Sequence, residues 1–296
     1  MELRVLNYFL AIAREENFTK AAQQLHVTQP TLSRQIADLE EELGVKLFIR
    51  SNHNIILTED GLLLKQRAQE ILSLTDKTKR DFLQKEKVLA GTISIGGGEY
   101  RSTEYLAKII AEFRKHYPKV SYEIYSGNTL NIQNYIERGL LDIGLISEPV
   151  DMHKYNFITM PNKEEWGIYV SQNTPLAQKK YITPKDLQGM PLLEAMGDFN
   201  QSLIGSWLGS YKSQVELIAN IDLPYNKAIL AKENIGIMLS LNLNCTYDGL
   251  TFIPLSPKLE HSTALVWKKE QIFSPTTTAF IDFAKKYLLS ITDNNI

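Results

Sequence analysis

The chain has 296 residues, 44% of them hydrophobic and 22% charged, with a formal net charge of −2. This is enough apolar material for two or three compact units, and the charge balance by itself selects no partner. The one cysteine, Cys245, excludes an internal disulfide and fits a reducing compartment; it is expected to be a buried or semi-buried small residue.

The first residues form an amphipathic helix with Leu3, Leu6, Phe9, Leu10 and Ala13 on one side, without the charged and apolar regions of a signal peptide. No apolar run approaches the roughly 20 residues that cross a bilayer, so no membrane partner and a cytoplasmic location are expected. Thr19 is placed to cap a second helix containing Ala21, Ala22 and Leu25, whose small alanines admit a neighbour closely. His26 and Val27 form a turn. Thr28 then caps a third helix with Pro30 in its first turn, a buried stripe of Leu32, Ile36, Leu39 and Leu43, and Gly44 at its end. Gln29, Thr31, Ser33, Arg34 and Gln35 crowd the N-terminal end of that helix. This is the end that enters the major groove in a helix-turn-helix, where Arg suits guanine or phosphate and Gln suits adenine. The alternative is a merely solvated face. Bulk charge favours the alternative, because residues 1–60 carry six Lys or Arg (4, 14, 20, 34, 46, 50) against nine Asp or Glu (2, 15, 16, 38, 40, 41, 42, 59, 60). Its distribution does not: Glu40 to Glu42 lie at the far end of the helix, while Lys20, Arg34 and Arg50 lie toward the expected DNA side. Leu47 to Arg50 and Ile55 to Leu57, joined by Ser51 to Asn54, form a small hairpin of the kind that makes a wing.

Residues 1 to about 90 closely resemble the LysR-type transcriptional regulators of bacteria. The match runs through Phe9-Leu10-Ala11, Asn17-Phe18-Thr19-Lys20-Ala21-Ala22, Thr28-Gln29-Pro30, Leu32-Ser33-Arg34-Gln35-Ile36, Leu39 to Gly44, Leu47-Phe48, Arg50 and Leu57-Thr58-Glu59-Asp60-Gly61. The resemblance implies a winged helix-turn-helix over 1–58 that binds double-stranded operator DNA through Lys20, Thr28, Gln29, Pro30, Thr31, Ser33, Arg34, Gln35, Arg50 and His53. It also implies an encounter with RNA polymerase. The wing departs from the family, carrying Asn52, His53 and Asn54 where additional Arg or Lys is usual, so fewer phosphates are neutralised there; His53 is either a weak contact or a turn residue.

Thr58 caps a long helix running to about Leu89, the linker of residues 59–90. In it Leu64, Ala68, Ile71, Thr75, Thr78 and Phe82 recur at spacings of four and three, the pattern of a helix–helix seam. Either the stripe packs on the chain's own second domain or it pairs two chains. The resemblance implies pairing, with Leu64, Ala68, Ile71 and Phe82 at a homodimer seam and a homotetramer as the larger assembly.

From Thr92 strands and helices alternate: strands at Thr92 to Gly96, Val120 to Tyr125 and Asp142 to Ile146, helices at Thr103 to His116 and about Thr129 to Arg138. A second set follows, with strands at Trp166 to Val170, Leu192-Leu193, Gln214 to Ala219 and Ile235 to Leu239. Its helices open at Thr183-Pro184, Phe199 and Pro224. The first set is a parallel α/β layout, with Ser262 to Trp267 a strand returning to it and Ser274-Pro275 capping the last helix. Two lobes follow, lobe I of residues 91–161 and 267–296 and lobe II of 162–266, crossed near Met160 to Glu165 and near Ala264 to Trp267. This half resembles the LysR-type effector domain, similar to periplasmic binding proteins of type 2, through Tyr117-Pro118-Lys119-Val120, Gly139 to Leu145, Pro175-Leu176-Ala177 and Ile235-Gly236-Ile237. The fold class is therefore multidomain α+β: winged helix-turn-helix, linker helix, two-lobed α/β domain.

Ligands of open α/β lobes sit beyond the carboxyl ends of strands, near helix N-termini. Gly98, Glu99, Tyr100, Arg101 and Ser102, then Gly127, Asn128, Thr129 and Ser147, then Asp198, Phe199 and Asn200 occupy such junctions, and the resemblance makes them the lining for a small-molecule effector. Glu99 repels a plain carboxylate unless Arg101 neutralises it, which points to a ligand bearing both an amino group and an acid; alternatively Glu99 and Arg101 pair with each other or face solvent. The run Gly96-Gly97-Gly98 lacks the Gly-Lys-Ser/Thr ending of a phosphate loop. The five histidines, 26, 53, 116, 153 and 261, have no metal-ligand spacing, and no catalytic constellation or cofactor site stands out. A hydrolase or transferase using Glu99 and Ser102, and an effector-blind architectural DNA binder, are the competing functions.

Overall fold

The computed structural model describes residues 1–50, 55–83, 89–151, 153–194 and 203–293, setting aside the side chains of Arg50 and of residues 80–83 and 292–293. The chain divides into two compact units, Met1–Lys87 and Val88–Ile296.

The first unit contains α1 (Leu3–Glu15), α2 (Phe18–Gln24), α3 (Gln29–Leu43), β1 (Phe48–Arg50), β2 (Ile55–Leu57) and α4 (Glu59–Leu83). The cap of α2 is Asn17, whose side chain accepts from the Lys20 amide at 3.0 Å, and not Thr19, which already lies in the helix. Ala21 and Ala22 are buried as expected, and His26 turns the chain with φ 54. Thr28 caps α3, accepting from the Thr31 amide, and Gly44 ends it in the left-handed region. The core gathers Leu6, Phe9, Phe18, Leu32, Ile36, Leu39 and Phe48, with the Phe48 ring 5.2 Å from Phe9 and 5.9 Å from Phe18.

Leu43 was expected in the buried stripe and is 40% exposed, whereas Glu40 is only 6% exposed. The reason is a set of donors beyond the helix. The Glu40 carboxylate accepts from the amides of Leu47 at 2.9 Å and Phe48 at 3.4 Å and from Lys46 Nζ at 2.7 Å. Burial works to raise its pKa, but these donors outweigh that and hold the carboxyl below its ordinary value. Glu40→Ala strands two backbone donors, so a loss of about 2 kcal/mol is expected in urea unfolding followed by circular dichroism, with Glu40→Gln losing less.

α4 begins under Thr58, whose hydroxyl accepts from the Gly61 amide at 2.9 Å and donates to the Lys46 carbonyl. A Cβ on Gly61 would lie 2.2 Å from the Leu47 carbonyl oxygen, so only glycine lets the helix start this close to the hairpin. The seam expected along α4 is corrected in its first half. Leu64 and Ala68 are buried inside the chain's own first unit, where α4 packs against α1, and Ile71 leans on the same core. A heptad stripe has the same spacing whether its partner is another chain or a neighbouring helix. Phe82 lies outside the described side chains.

The second unit contains β3 (Gly91–Gly97), α5 (Thr103–His116), β4 (Val120–Ser126), α6 (Thr129–Glu137), β5 (Ile143–Ser147), β6 (Tyr155–Ser171), β7 (Pro191–Glu194), α7 (Leu203–Leu208), β8 (Glu216–Asn220), α8 (Pro224–Lys232), β9 (Ile237–Leu241), β10 (Leu250–Pro254), β11 (Glu260–Lys268) and α9 (Pro275–Asp293). Thr183-Pro184 opens only a 3₁₀ turn. The strand order is β4-β3-β5-β11-β6-β9-β7-β8, with β10 beside β6. Pairing is parallel at β4-β3-β5, as expected for the first set, and at β9-β7-β8, and it is antiparallel in the middle, where β11 and β6 join them. β6 is far longer than the expected Trp166 to Val170. Its middle carries Pro161, Asn162, Lys163 and Glu164, poor strand formers; Lys163 and Glu164 pair with Ser262 and His261 of β11, and Pro161 and Asn162 lie where the register of that pairing shifts.

Lobe I packs α5 and α9 on one side of its sheet through Ile109, Phe113 and Phe280, and α6 on the other through Ile132 and Ile136. Lobe II is built around Ile168, Leu192, Leu239 and Ile253. The first crossing lies on β6 as expected. The second does not fall at Ala264 to Trp267, because Ala264, Leu265 and Val266 already pair with β5 in lobe I; the pairing of β11 with β6 shifts between Ser262 and Ala264. The glycine run has a packing role, since a Cβ on Gly96 would lie 2.6 Å from Leu141 and 2.9 Å from Ile132 beneath α6. Cys245 is exposed, contrary to expectation. No described helix is long and apolar enough to cross a membrane, and among the described residues no group of His, Cys, Asp and Glu is placed to hold a metal.

Candidate functional site

Two sites emerge, one in each unit. In the first, Gln29, Pro30, Thr31 and Arg34 are exposed at the start of α3, with Ser33 and Gln35 half-buried beside them. Thr28 and Thr31 hydroxyls lie 2.8 Å apart, fixing the first turn. Lys20 and Arg34 are exposed, and their side-chain charges enter no ion pair among the described residues. β1 and β2 pair Phe48 with Leu57 and Arg50 with Ile55, so the hairpin stands beside the helices of the same unit. His53 lies outside the described residues, as does the side chain of Arg50. This surface combines a helix N-terminus, amide and hydroxyl groups, and uncompensated cations, the donors that contact base edges and phosphate.

In the second unit the junctions after β3 and β5 and before α6 converge. The Tyr100 hydroxyl lies 2.9 Å from Ser147 Oγ and 3.5 Å from Thr129 Oγ1, and Thr129 Oγ1 accepts from the Ser147 amide at 3.3 Å. Asn128 caps α6, accepting from the Asn131 amide, and the Gly127 amide donates to Gly97. Gly98 is half-buried beside Tyr100. Asp198, Phe199 and Asn200 lie outside the described residues.

The start of α5 is not open to a ligand. Glu164, fully buried on β6, accepts from the amides of Arg101 at 2.8 Å and Ser102 at 3.0 Å and lies 2.6 Å from Ser102 Oγ. Ser102 also accepts from Thr263 at 2.7 Å and is itself fully buried, so it is corrected from ligand contact to structural partner. A carboxylate of the protein already occupies the helix N-terminus that was expected to hold a ligand's acid. Glu99 is exposed and forms no ion pair with Arg101 among the described residues.

Three participants were not anticipated. Glu164 was hidden in a polar stretch. Lys227, buried on α8, donates to the Leu239 carbonyl at 3.1 Å; burial pushes its ammonium below the ordinary value, against the pull of Glu194, Asp222 and Glu99. His261 on β11 accepts at Nδ1 from Trp166 Nε1 at 3.0 Å, across the two strands that connect the lobes. Burial lowers its pKa below the ordinary imidazole value, against the nearby Glu164 and Glu148. A lysine spaced three residues after Pro224 was the one local signal for any of them.

Residues 3–62 match the family model of the bacterial regulatory helix-turn-helix protein, lysR family, and residues 86–289 match the LysR substrate binding domain. The Hca operon transcriptional activator HcaR of Escherichia coli (strain K12) is 31% identical over 304 aligned positions, covering 99% of this chain and 100% of that protein. The HTH-type transcriptional regulator AlsR of Bacillus subtilis (strain 168) is 29% identical over 277 positions, covering 91% of this chain and 85% of that one. Among solved structures, CbnR, a LysR family transcriptional regulator, superposes with a TM-score of 0.76 at 18% identity, covering 97% of this chain and 99% of that one. Full-length CbnR complexed with its target DNA gives 0.75 at 19% identity, covering 97% and 100%. At these identities the structural likeness is one of fold.

Proposed function

The chain belongs to the LysR family of bacterial transcriptional regulators, and from that premise we propose that α3 reads operator DNA while a small effector binds between the lobes of the second unit. It is a DNA-binding regulator and not an enzyme. The observation that carries the reading is the exposed set Gln29, Thr31 and Arg34 at the N-terminal end of α3, with Arg34 and Lys20 uncompensated. Arg50 holds the backbone from the wing. Thr129, Ser147 and Tyr100 line the effector cleft, with Gly98, Glu99, Gly127 and Asn128 at its edge. The test is selection of binding sequences from a random duplex pool by the full chain, followed by binding titrations over a salt series. Enrichment of a single motif is expected; binding that depends on salt alone, with no motif, points instead to an architectural binder.

Self-association in the cytoplasm, as a dimer or tetramer that meets RNA polymerase at the promoter, completes the reading. With Ala68 buried within one chain, the face left for pairing on α4 is the one carrying Leu63 and Leu74, 55% and 42% exposed and three turns apart. Leu74→Asp is expected to weaken the dimer by about 2 kcal/mol in sedimentation while leaving helix content unchanged. An unaltered oligomer removes α4 as the seam.

A further inference from the structure

His261 and Glu164 are directly opposed on β11 and β6, so both side chains leave the sheet on the same side, toward the loop after β3. Trp166, two residues along β6 from Glu164, donates its indole N–H to His261 Nδ1 at 3.0 Å. An imidazole that accepts at Nδ1 carries its proton on Nε2. That Nε2–H is buried and has no hydrogen-bond partner among the described residues. A buried donor without an acceptor is costly, and this one lies where the strands cross between lobes. The Tyr100 and imidazole rings meet edge-on at 6.3 Å, and the Trp166 ring, hydrogen-bonded on the Nδ1 side, lies tilted at 6.1 Å.

We propose that the His261 Nε2–H is the donor by which the interlobe cleft recognises an uncharged acyl oxygen, a carbonyl or amide, on its ligand. The inference rests on the effector reading of that cleft. The charged groups acting on the imidazole are both carboxylates, Glu164 from β6 and Glu148 from the end of β5. Glu164 is engaged by Arg101 and Ser102, and Glu148 accepts from Thr159. An anionic oxygen would meet two like charges, and an ammonium offers nothing for the N–H to donate to. A neutral acceptor satisfies the donor without either penalty. The lowered pKa of His261 is consistent with a neutral ring held in one tautomer.

The test uses the full chain labelled with ¹⁵N at its five histidines, His261→Gln to assign the signal, and three ring-bearing probes of one size: benzamide, benzoate and benzylamine. In the free protein His261 is expected as the Nε2–H tautomer, and Trp166→Phe releases it to a mixture. Benzamide is expected to displace the Nε2 resonance, benzoate to do so only at much higher concentration, and benzylamine not at all. His261→Phe weakens benzamide roughly tenfold by calorimetry, the worth of one hydrogen bond. An Nδ1–H tautomer, an Nε2 signal that benzamide leaves in place, or a stronger response to benzoate overturns the proposal. Thr129→Ala separates the two levels. Benzamide binding that answers to Thr129 and ignores His261 overturns the donor role and leaves the cleft reading standing; binding that ignores both removes both.

Discussion

Arg34→Ala is expected to lower affinity for the selected operator by about 1–3 kcal/mol, roughly five- to 150-fold, with little change in binding to unrelated duplex. The guanidinium is exposed on α3 five residues along from the exposed Gln29, and among the described residues it makes no ion pair that its removal would disturb. Gln29→Ala is expected to lose a similar amount at a different base position. Both variants keep the fold, because both side chains are exposed and neither belongs to the buried stripe of Leu32, Ile36 and Leu39. Fluorescence anisotropy with operator and scrambled duplexes measures the difference. Equal losses on both duplexes identify Arg34 as a phosphate contact, and unchanged operator affinity in both variants removes α3 as the reading helix.

Glu164→Ala is expected to destabilise the second unit by about 3 kcal/mol, since it leaves two buried backbone donors unpaired and an α5 N-terminus without its compensating charge. All three tryptophans, at positions 166, 207 and 267, belong to this unit, so tryptophan fluorescence in urea reports on it alone. Glu164→Gln retains one acceptor oxygen but turns an amide toward a backbone N–H, and an intermediate loss is expected. A transition midpoint unchanged in Glu164→Ala would mean that α5 is capped by solvent in its absence.

What could be read along the chain was whatever rests on neighbours a few residues apart. Thr28 over Thr31, Gly44 after the last turn, and the apolar spacing of Leu32, Ile36 and Leu39 are i to i+4 relations, and they hold in the structure. So do the α5 and α6 boundaries, to within one residue, and the start of α8. The polar cluster on α3 was visible for the same reason, because its members fall within the first two turns of one helix. The departures share the opposite cause. Glu40 became a buried residue through donors that follow the helix, and Ala68 was withdrawn from the expected seam because α1 arrived first, a choice between identical spacings that only packing makes. The cleft depends most on distant partners. Glu164 meets amides 62 and 63 positions away, and Trp166 meets His261 across 95. Composition marks Pro161 to Glu164 as unlikely strand, and it is the pairing of Lys163 and Glu164 with Ser262 and His261 of β11 that extends the backbone at Glu164 and turns it inward. A buried carboxylate is tolerable only where folded backbone supplies its donors, so its place was decided by the tertiary structure and has no counterpart in local sequence.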